Sequence, residues 1–310
     1  MQLKLIKSFE KSFKKYFIAC RPSQWTKNLI VFSAPLFSFS FESNIWLSAV
    51  YAFFIFCLIS SSIYLVNDSL DVKSDRNHPR KKFRPIASGN VSIRSALLIA
   101  IVLFITSLVI SWTISKTLFL VFLLYFLIQI FYCLYLKRKP ILDIFSIASG
   151  FLLRAIAGIV ACSLPSSPWF LLTVGLLALF LAIEKRKAEL RLSIERGLFT
   201  REVLKRYSLP LLLRLEGLVS TSSFITYSLW ASGPLLGGAN SPWMMISIPF
   251  VLIGIFRYQL LSDPEESERR KESDPDHSSE KPEEILLYDR GIKLTLLGWL
   301  CTIIIIGFFV

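Results

Sequence analysis

Between Val66 and Gly89 the sequence reads VNDSLDVKSDRNHPRKKFRPIASG, Asn and Asp at helical spacing followed by a run of Lys and Arg. Asn67, Asp71 and Asp75 stand at i, i+4 and i+8, and Asp68 lies three residues before Asp71. If the helix before them continues past the membrane edge, all of these side chains project to one side. Like charges so close repel, and a helix keeps them together only against something positive. Oxygen ligands without His or Cys suit Mg²⁺, which takes one or two carboxylates and fills its shell with water or substrate phosphate. Asn67, Asp68, Asp71 and Asp75 are therefore candidate Mg²⁺ ligands. A second reading is a solvated acidic helix end, paired with the basic loop behind it.

That loop supplies Arg76, Arg80, Lys81, Lys82 and Arg84. Some of these cations must anchor the loop to anionic headgroups. Cations beside a metal cluster are also how a polyphosphate is held, the metal bridging some oxygens and Lys or Arg taking the rest. Pro79, Pro85 and Gly89 give the loop fixed turns. His78 reads as a loop hydrogen-bonder in preference to a catalyst.

Farther along, Asp143 and Arg154 are eleven residues apart, about three helical turns, and so share a face with Ser146 or Ile147 and Gly150 between them. Gly158 continues that face. A charge as deep in an apolar segment as Arg154 normally faces a protein cavity and is a functional candidate by default. The competing reading is a buried structural pair with a carboxylate such as Glu216. Arg214 and Glu216 either face the same interior or pair with each other. Asp289 and Arg290, at the start of the last apolar run, either cap the site or pair as a structural link, and the second reading is preferred.

The elements that must position these residues are membrane helices. The chain has 310 residues, 54% of them hydrophobic, and a mean hydropathy of +0.57, more apolar than a soluble domain of that length. Runs of about 20 apolar residues recur, the length that crosses a hydrocarbon layer. Nine spans are expected, at 29–43, 46–66, 95–115, 117–136, 140–161, 168–184, 209–231, 243–261 and 292–309. The first is short and interrupted by Pro35, so eight is the alternative. With the N-terminus in the cytoplasm, the segments 1–28, 67–94, 137–139, 185–208 and 262–291 fall on that side and hold nearly all the Lys and Arg, the bias that orients membrane proteins. No loop is long enough for a separate soluble domain, so residues 1–310 are expected to form a single transmembrane domain. The charged stretch 263–284 is expected to be mobile. Residues 1–20 interleave Lys with Leu, Ile and Phe, which suits an interfacial helix on an anionic leaflet.

The net charge of +13 is topological on one reading and the mark of a multiply phosphorylated substrate on another. Nucleic acid is excluded as a partner because the basic residues lie in short loops between spans. Cys20, Cys57, Cys133, Cys162 and Cys301 form no CxxC pair, so neither a disulfide framework nor a zinc site is expected. His78 and His277 are the only histidines, which rules out a His-rich metal site.

"NDSLDVKSD" followed by "RPIASG" resembles the NDxxDxxxD signature of the UbiA superfamily of intramembrane prenyltransferases. Five further blocks in order, "RPSQWTKNLIVFSAPLFS" (21–38), "DRNHPRKKFRPIASG" (75–89), "LDIFSIASGFLLRAIAG" (142–158), "EKRKAEL" (184–190) and "PEEILLYDR" (282–290), are similar to its phosphoribosyl-transferring branch. The resemblance implies an all-α bundle of about nine transmembrane helices with a cavity open to lipid and a polar site at the cytoplasmic end. It implies Mg²⁺-dependent transfer of 5-phosphoribose from phosphoribosyl pyrophosphate (PRPP) to a polyprenyl phosphate such as decaprenyl phosphate. Pyrophosphate is released, and the lipid product feeds cell-wall arabinan. The enzyme would sit in the cytoplasmic membrane.

On that resemblance Asp68, Asp71 and Asp75 carry the catalysis through the metal. Lys27 and Asn28 become phosphate or ribose contacts, with Arg21 and Gln24 beside them and Trp25 as an interfacial anchor. Arg154 is placed on the phosphate of the lipid acceptor or on the leaving pyrophosphate, with Asp143 on the same face. Where prenyltransferases of the superfamily carry a second DxxxD motif, this chain has Lys185, Arg186 and Glu189. A Lys–Arg pair suits a more anionic donor, with Glu189 reaching ribose hydroxyls; an ordinary Lys–Glu pair on an exposed helix is the other reading. Two rivals remain at this stage: a prenyltransferase acting on an aromatic acceptor, and a transporter or scaffold whose acidic loop binds a cation. A homo-oligomer is left open.

Overall fold

The structure, a computed structural model, describes residues 14–78, 81–195, 197, 201–266, 269 and 289–309. The interfacial helix expected over residues 1–20 is described only from 14 onward, where it is helical. The turn role of Pro79, the loop cation Arg80, the "PEEILLYDR" block before Asp289 and most of the stretch expected to be mobile lie outside the described residues.

Ten α-helices lie wholly within the described residues: α1 (Ser33–Phe37), α2 (Ser43–Leu70), α3 (Val72–Arg76), α4 (Ile93–Ile114), α5 (Lys116–Leu134), α6 (Leu142–Cys162), α7 (Pro168–Glu195), α8 (Leu209–Ala231), α9 (Ile248–Leu261) and α10 (Arg290–Phe309). There is no strand among the described residues. Chain chemistry sets the boundaries. Ser92 and Ser208 accept backbone N–H bonds from Ser95 and Leu211 at 3.1 and 3.3 Å and so cap α4 and α8. Ser115, extended at φ −161° and ψ 137°, stops α4 and lets α5 begin at the next residue. Asp289 caps α10, its Oδ1 accepting the Ile292 N–H at 2.8 Å.

Seven helical segments are long and apolar enough to cross a membrane: α2, α4, α5, α6, α7, Pro242–Leu261 and α10. Two of the nine expected spans are not among these seven. The first span, 29–43, is not one helix: Pro22–Phe32 is a 3-10 segment, followed by the five residues of α1, which contain Pro35. The span at 209–231 does form α8, but Arg214, Glu216 and its serines dilute the apolar run, and Glu216, Ser220, Ser223 and Thr226 face the interior. The helix expected to end at 184 runs on to Glu195, so the "EKRKAEL" block stands on α7 and not in a loop.

The chain divides into two compact units. The first takes residues up to Ser33, Glu42–Tyr135 and Leu153–Ser163. In it α2 packs against α4, α5 and the Pro22–Phe32 segment. Ala19, Leu65, Val72, Ile86, Val91, Ala96 and Ala100 form a core that seats the loop after α2 from both ends. The second takes Ala34–Phe41, Leu136–Leu152 and Leu164–Val310. There α7 packs along α8, and α9 packs against both α8 and α10. Its core includes Ile144, Ala182, Ile183, Leu190, Leu204, Tyr207 and Leu212.

Candidate active site

Four sets of polar side chains stand out, two in each unit. In the first unit α2 ends at Leu70, and Asp71 (φ −92°, ψ 6°) links it to α3. The backbone hydrogen bonding carries on across the link, Asp71 N–H to Asn67 O at 2.9 Å and Asp75 N–H to Asp71 O at 2.8 Å. Asp68 and Asp75, two turns apart, are buried, whereas Asn67 and Asp71 are half-exposed. A nitrogen of Arg84, Nη1, reaches both buried acids, Asp75 Oδ2 at 2.6 Å and Asp68 Oδ1 at 3.3 Å. Arg21 closes the other side of Asp68: its Nε donates to Oδ2 at 3.1 Å and its Nη2 to Oδ1. Arg21 has φ of +55°, a left-handed conformation that costs a non-glycine residue about 1 kcal/mol. The bidentate carboxylate pair and the Tyr64 ring, 5.1 Å from its guanidinium, hold it there.

The four oxygen residues expected on one side are therefore sorted by the break at Asp71. No group of three or more His, Cys, Asp or Glu side chains is disposed to hold a metal ion among the described residues. What the chain offers is a pair, Asp68 and Asp75, converging on the point taken by Arg84 Nη1. Two carboxylates converging on one cationic centre fit a hard divalent ion that draws the rest of its shell from substrate phosphate. The loop cations take other places. Arg76 Nε donates to Ala87 O at 3.0 Å, the Lys81 N–H donates to His78 Nδ1 at 3.3 Å, and the exposed Lys82 lies 5.1 Å from the Phe83 ring centroid. The bond to His78 gives that residue the loop-bonding part expected of it.

Also in the first unit, Arg154 and Asn28, 126 positions apart in the chain, meet. Arg154 Nε donates to Asn28 Oδ1 at 2.7 Å and Nη2 donates to Tyr125 Oη at 2.9 Å. The guanidinium also lies 5.4 Å from the Phe56 ring centroid and 5.0 Å from that of Tyr125, within cation–π range. Asn28 Nδ2 donates to Cys57 Sγ at 3.4 Å and to Ser60 Oγ at 3.5 Å. Lys27 is half-buried next to it. Glu216 is held by Lys187 and Gln259 in another set. Gly158, one turn beyond Arg154, lets the backbone of Val31 come against α6: a Cβ there would lie 2.2 Å from the Val31 carbonyl oxygen.

In the second unit Asp143 is fully buried. Its Oδ2 accepts from Arg186 Nε at 2.5 Å and its Oδ1 from Tyr207 Oη at 2.7 Å. The same guanidinium holds Glu189 Oε2 through Nη1 at 2.5 Å, with Arg201 Nε 3.7 Å from that oxygen. Burial, and then the bond to Asp143, push the Tyr207 phenol well above its ordinary value, so it remains a donor. Lys185 is half-buried alongside. Glu189 pairs with Arg186 and, at longer range, with Arg201.

A second buried set ties α7 to α8 and the end of α9. Lys187 Nζ lies 2.5 Å from Glu184 Oε1, donates to Glu216 Oε2, and is 3.4 Å from Ser262 Oγ. Gln259 Nε2 donates to Glu216 Oε1 at 3.1 Å. Arg214 is exposed and takes no part in this set. Asp289 pairs with Arg257 at 2.7 and 3.0 Å, a partner other than the neighbouring Arg290 considered from the sequence. Tyr125, Tyr207, Glu184 and Lys187 are absent from the sequence-derived candidates. Only Glu184 and Lys187 carried a signal, their i,i+3 spacing in "EKRK".

A membrane-embedded helical chain whose paired aspartates are ringed by arginines has the build of an intramembrane transferase. The description "UbiA prenyltransferase family" matches residues 29–274, and the chain belongs to that family. It is 39% identical over 298 residues to the decaprenyl-phosphate phosphoribosyltransferase from Mycolicibacterium smegmatis, covering 92% of this chain and 90% of the relative. It is 38% identical over 291 residues to the one from Mycobacterium tuberculosis, covering 92% and 91%. A UbiA homolog from Archaeoglobus fulgidus, solved bound to DMAPP and Mg²⁺, shares the fold with a TM-score of 0.68 at 17% identity, over 95% of this chain and 98% of that one. The chain is an integral membrane protein.

Proposed function

We propose that this protein transfers 5-phosphoribose from PRPP to a polyprenyl phosphate such as decaprenyl phosphate, releasing pyrophosphate, with Mg²⁺ as cofactor. The observation that carries the reading is the identity to curated decaprenyl-phosphate phosphoribosyltransferases along nine-tenths of the chain. The paired Asp68 and Asp75 support it, since a polyanionic donor needs a cation-holding site. The one-sided distribution of Lys and Arg supports a cytoplasmic-membrane enzyme with its donor site on the cytoplasmic side. Arabinan synthesis, or another route that consumes a ribosylated lipid, would use the product.

In this mechanism Asp68 and Asp75, with Asn67 and Asp71 beside them, would hold Mg²⁺, which would supply neutralising charge to the departing pyrophosphate. Arg84 and Arg21 balance the two acids until the donor arrives. Arg76, Lys81 and Lys82, on the loop behind, draw in the pyrophosphate. Arg154 receives the lipid phosphate, kept in place by Asn28 and Tyr125, with Lys27 adjacent. That phosphate is already ionised at neutral pH, so its oxygen attacks ribose C1 on the face opposite the leaving pyrophosphate without a protein base. The C1–O bond to pyrophosphate breaks as the C1–O bond to the lipid phosphate forms, and positioning supplies much of the rate.

Purified protein in nanodiscs, given PRPP labelled in the ribose and decaprenyl phosphate, is expected to move label into the organic phase with stoichiometric pyrophosphate. The second reading, prenyl transfer from a prenyl diphosphate to an aromatic acceptor, is favoured by the breadth of the family. Label entering lipid only from prenyl diphosphate would establish it in place of the first.

A further inference from the structure

One hydroxyl in the first unit has a proton to give and no described residue to take it. Arg154 Nη2 donates to Tyr125 Oη at 2.9 Å. A guanidinium can only donate, so this bond occupies a lone pair of the phenol and leaves its O–H proton unused. That contact is the only hydrogen bond of the Tyr125 hydroxyl among the described residues. Tyr125 is 3% exposed, which leaves bulk water little access to it. Buried polar hydrogens are normally bonded, and one that is not points to an acceptor that comes from outside the chain.

The ring is not free to swing toward an acceptor within the protein. It packs edge-on against Phe56, centroids 5.2 Å apart at 85°, and Phe56 packs on Phe122 at 4.6 Å. Both phenylalanines are fully buried. The guanidinium is fixed as well. Its Nε donates to Asn28 Oδ1 at 2.7 Å, and Asn28 is oriented in turn because its Nδ2 donates to Cys57 Sγ and Ser60 Oγ on α2. Lys27 and Tyr64 lie close enough to the Tyr125 hydroxyl to act on it electrostatically. Being only half-buried, they mark the side from which an anion would reach it. All of these groups belong to the unit that carries Asp68 and Asp75.

We infer that Tyr125 is a substrate-binding residue: its hydroxyl donates to a phosphate oxygen of the lipid acceptor, beside the charge that Arg154 supplies. This rests on the function proposed above and deepens it, since there Tyr125 only keeps Arg154 in place. An oxygen that takes this proton sits about 2.7 Å from Oη. Oη is itself 2.9 Å from Arg154 Nη2, so one phosphate can meet both groups. A neutral donor suits the chemistry. The attacking oxygen must keep its electron density, and a hydroxyl orients the phosphate while drawing off less of it than a second cation would.

The test uses the full chain in nanodiscs, with initial rates measured against decaprenyl phosphate and against PRPP. Tyr125→Phe keeps the ring and removes the hydroxyl. It is expected to raise the KM for decaprenyl phosphate about five- to tenfold, the equivalent of one hydrogen bond, with kcat and the KM for PRPP unchanged. That variant also takes from Arg154 its acceptor, so 3-fluorotyrosine in place of Tyr125 separates the two parts the hydroxyl plays. Fluorine leaves the hydroxyl in place and makes it a stronger donor and a weaker acceptor. Donation to the phosphate then gives a KM for decaprenyl phosphate below that of the wild type. A fluorotyrosine enzyme whose KM is unchanged or raised would overturn the inference, because the hydroxyl would then act through Arg154 alone. Wild-type KM in Tyr125→Phe would overturn it too. If Tyr125→Phe does not accumulate folded, the fluorotyrosine result decides. Wild-type protein that transfers nothing from PRPP to decaprenyl phosphate would overturn the proposed function itself, whereas transfer by the wild type with either contrary result overturns the Tyr125 contact alone.

Discussion

Gly158 is the position where one added methyl group reads out the Arg154 nest. A Cβ at residue 158 would lie 2.2 Å from the Val31 carbonyl oxygen and 3.0 Å from its carbon. A carbon and an oxygen approach no closer than about 3.3 Å, so the Pro22–Phe32 segment must withdraw by about 1 Å. The obstacle is backbone, which no rotamer change relieves, and overpacking of this kind costs about 1–3 kcal/mol. The segment that withdraws carries Asn28, whose Oδ1 accepts from Arg154 at 2.7 Å. A bond starting at that length and lengthened by the same amount is no longer a hydrogen bond, and bonds to charged groups contribute about 1.5–3 kcal/mol. Gly158→Ala is therefore expected to lower stability in a detergent unfolding assay and to raise the KM for polyprenyl phosphate about tenfold or more. Gly175→Ala on α7, where a Cβ meets nothing within 4 Å, is the control and is expected to be neutral or slightly stabilising. Wild-type stability together with wild-type KM in Gly158→Ala would refute the reasoning, because it would mean the close approach does not hold Asn28 against Arg154.

Asp75→Ala and Asp68→Ala are each expected to reduce kcat for transfer by about two orders of magnitude or more, with insertion into membranes unchanged in a fractionation assay. Near-normal turnover would remove the metal assignment. EDTA is expected to abolish transfer while leaving the melting temperature in detergent unchanged, because Arg84 and Arg21 already satisfy the two acids; a large drop in melting temperature would contradict that balance. Lys187→Met is expected to destabilise the protein by about 3–5 kcal/mol, as removal of one partner from a buried ionic set does, measured by chemical unfolding in detergent.

The sequence made the helices legible because runs of apolar residues long enough to cross a bilayer have few other outcomes. It misjudged one of them for reasons of local chemistry, and another, the span at 209–231, it placed correctly as α8 although polar residues interrupt its apolar run. Pro35 and the tight turns before it keep residues 22–37 from forming one regular helix, and the polar residues of α8 face protein, where hydropathy reads them as a loss. Helical spacing brought out Asn67, Asp68, Asp71 and Asp75 as a group. It could not foresee that the backbone at Asp71 breaks the periodicity, so that Asp68 and Asp75 are the pair that converges. The depth of Arg154 marked it, and the block around Asn28 marked that residue, but their meeting across 126 positions has no signature in either neighbourhood. Tyr207 was invisible for the same reason: its bond to Asp143, 64 positions away, is made by the fold, and no spacing encodes it.

Glu184, Lys187 and Glu216 constrain how the chain can vary. Changing Lys187 strands both carboxylates without a counter-charge in a place water does not reach, and changing either carboxylate takes from Lys187 one of its two partners, so a single substitution meets a penalty that is steepest at Lys187. Replacing all of them at once with apolar side chains of like volume escapes that penalty, since well-packed hydrocarbon is often as stable as a sealed ionic knot. Descendants of this chain can thus keep the trio or discard it whole. Intermediate sequences have to pass through a valley, which is reason enough for a lineage to retain charges that touch no substrate.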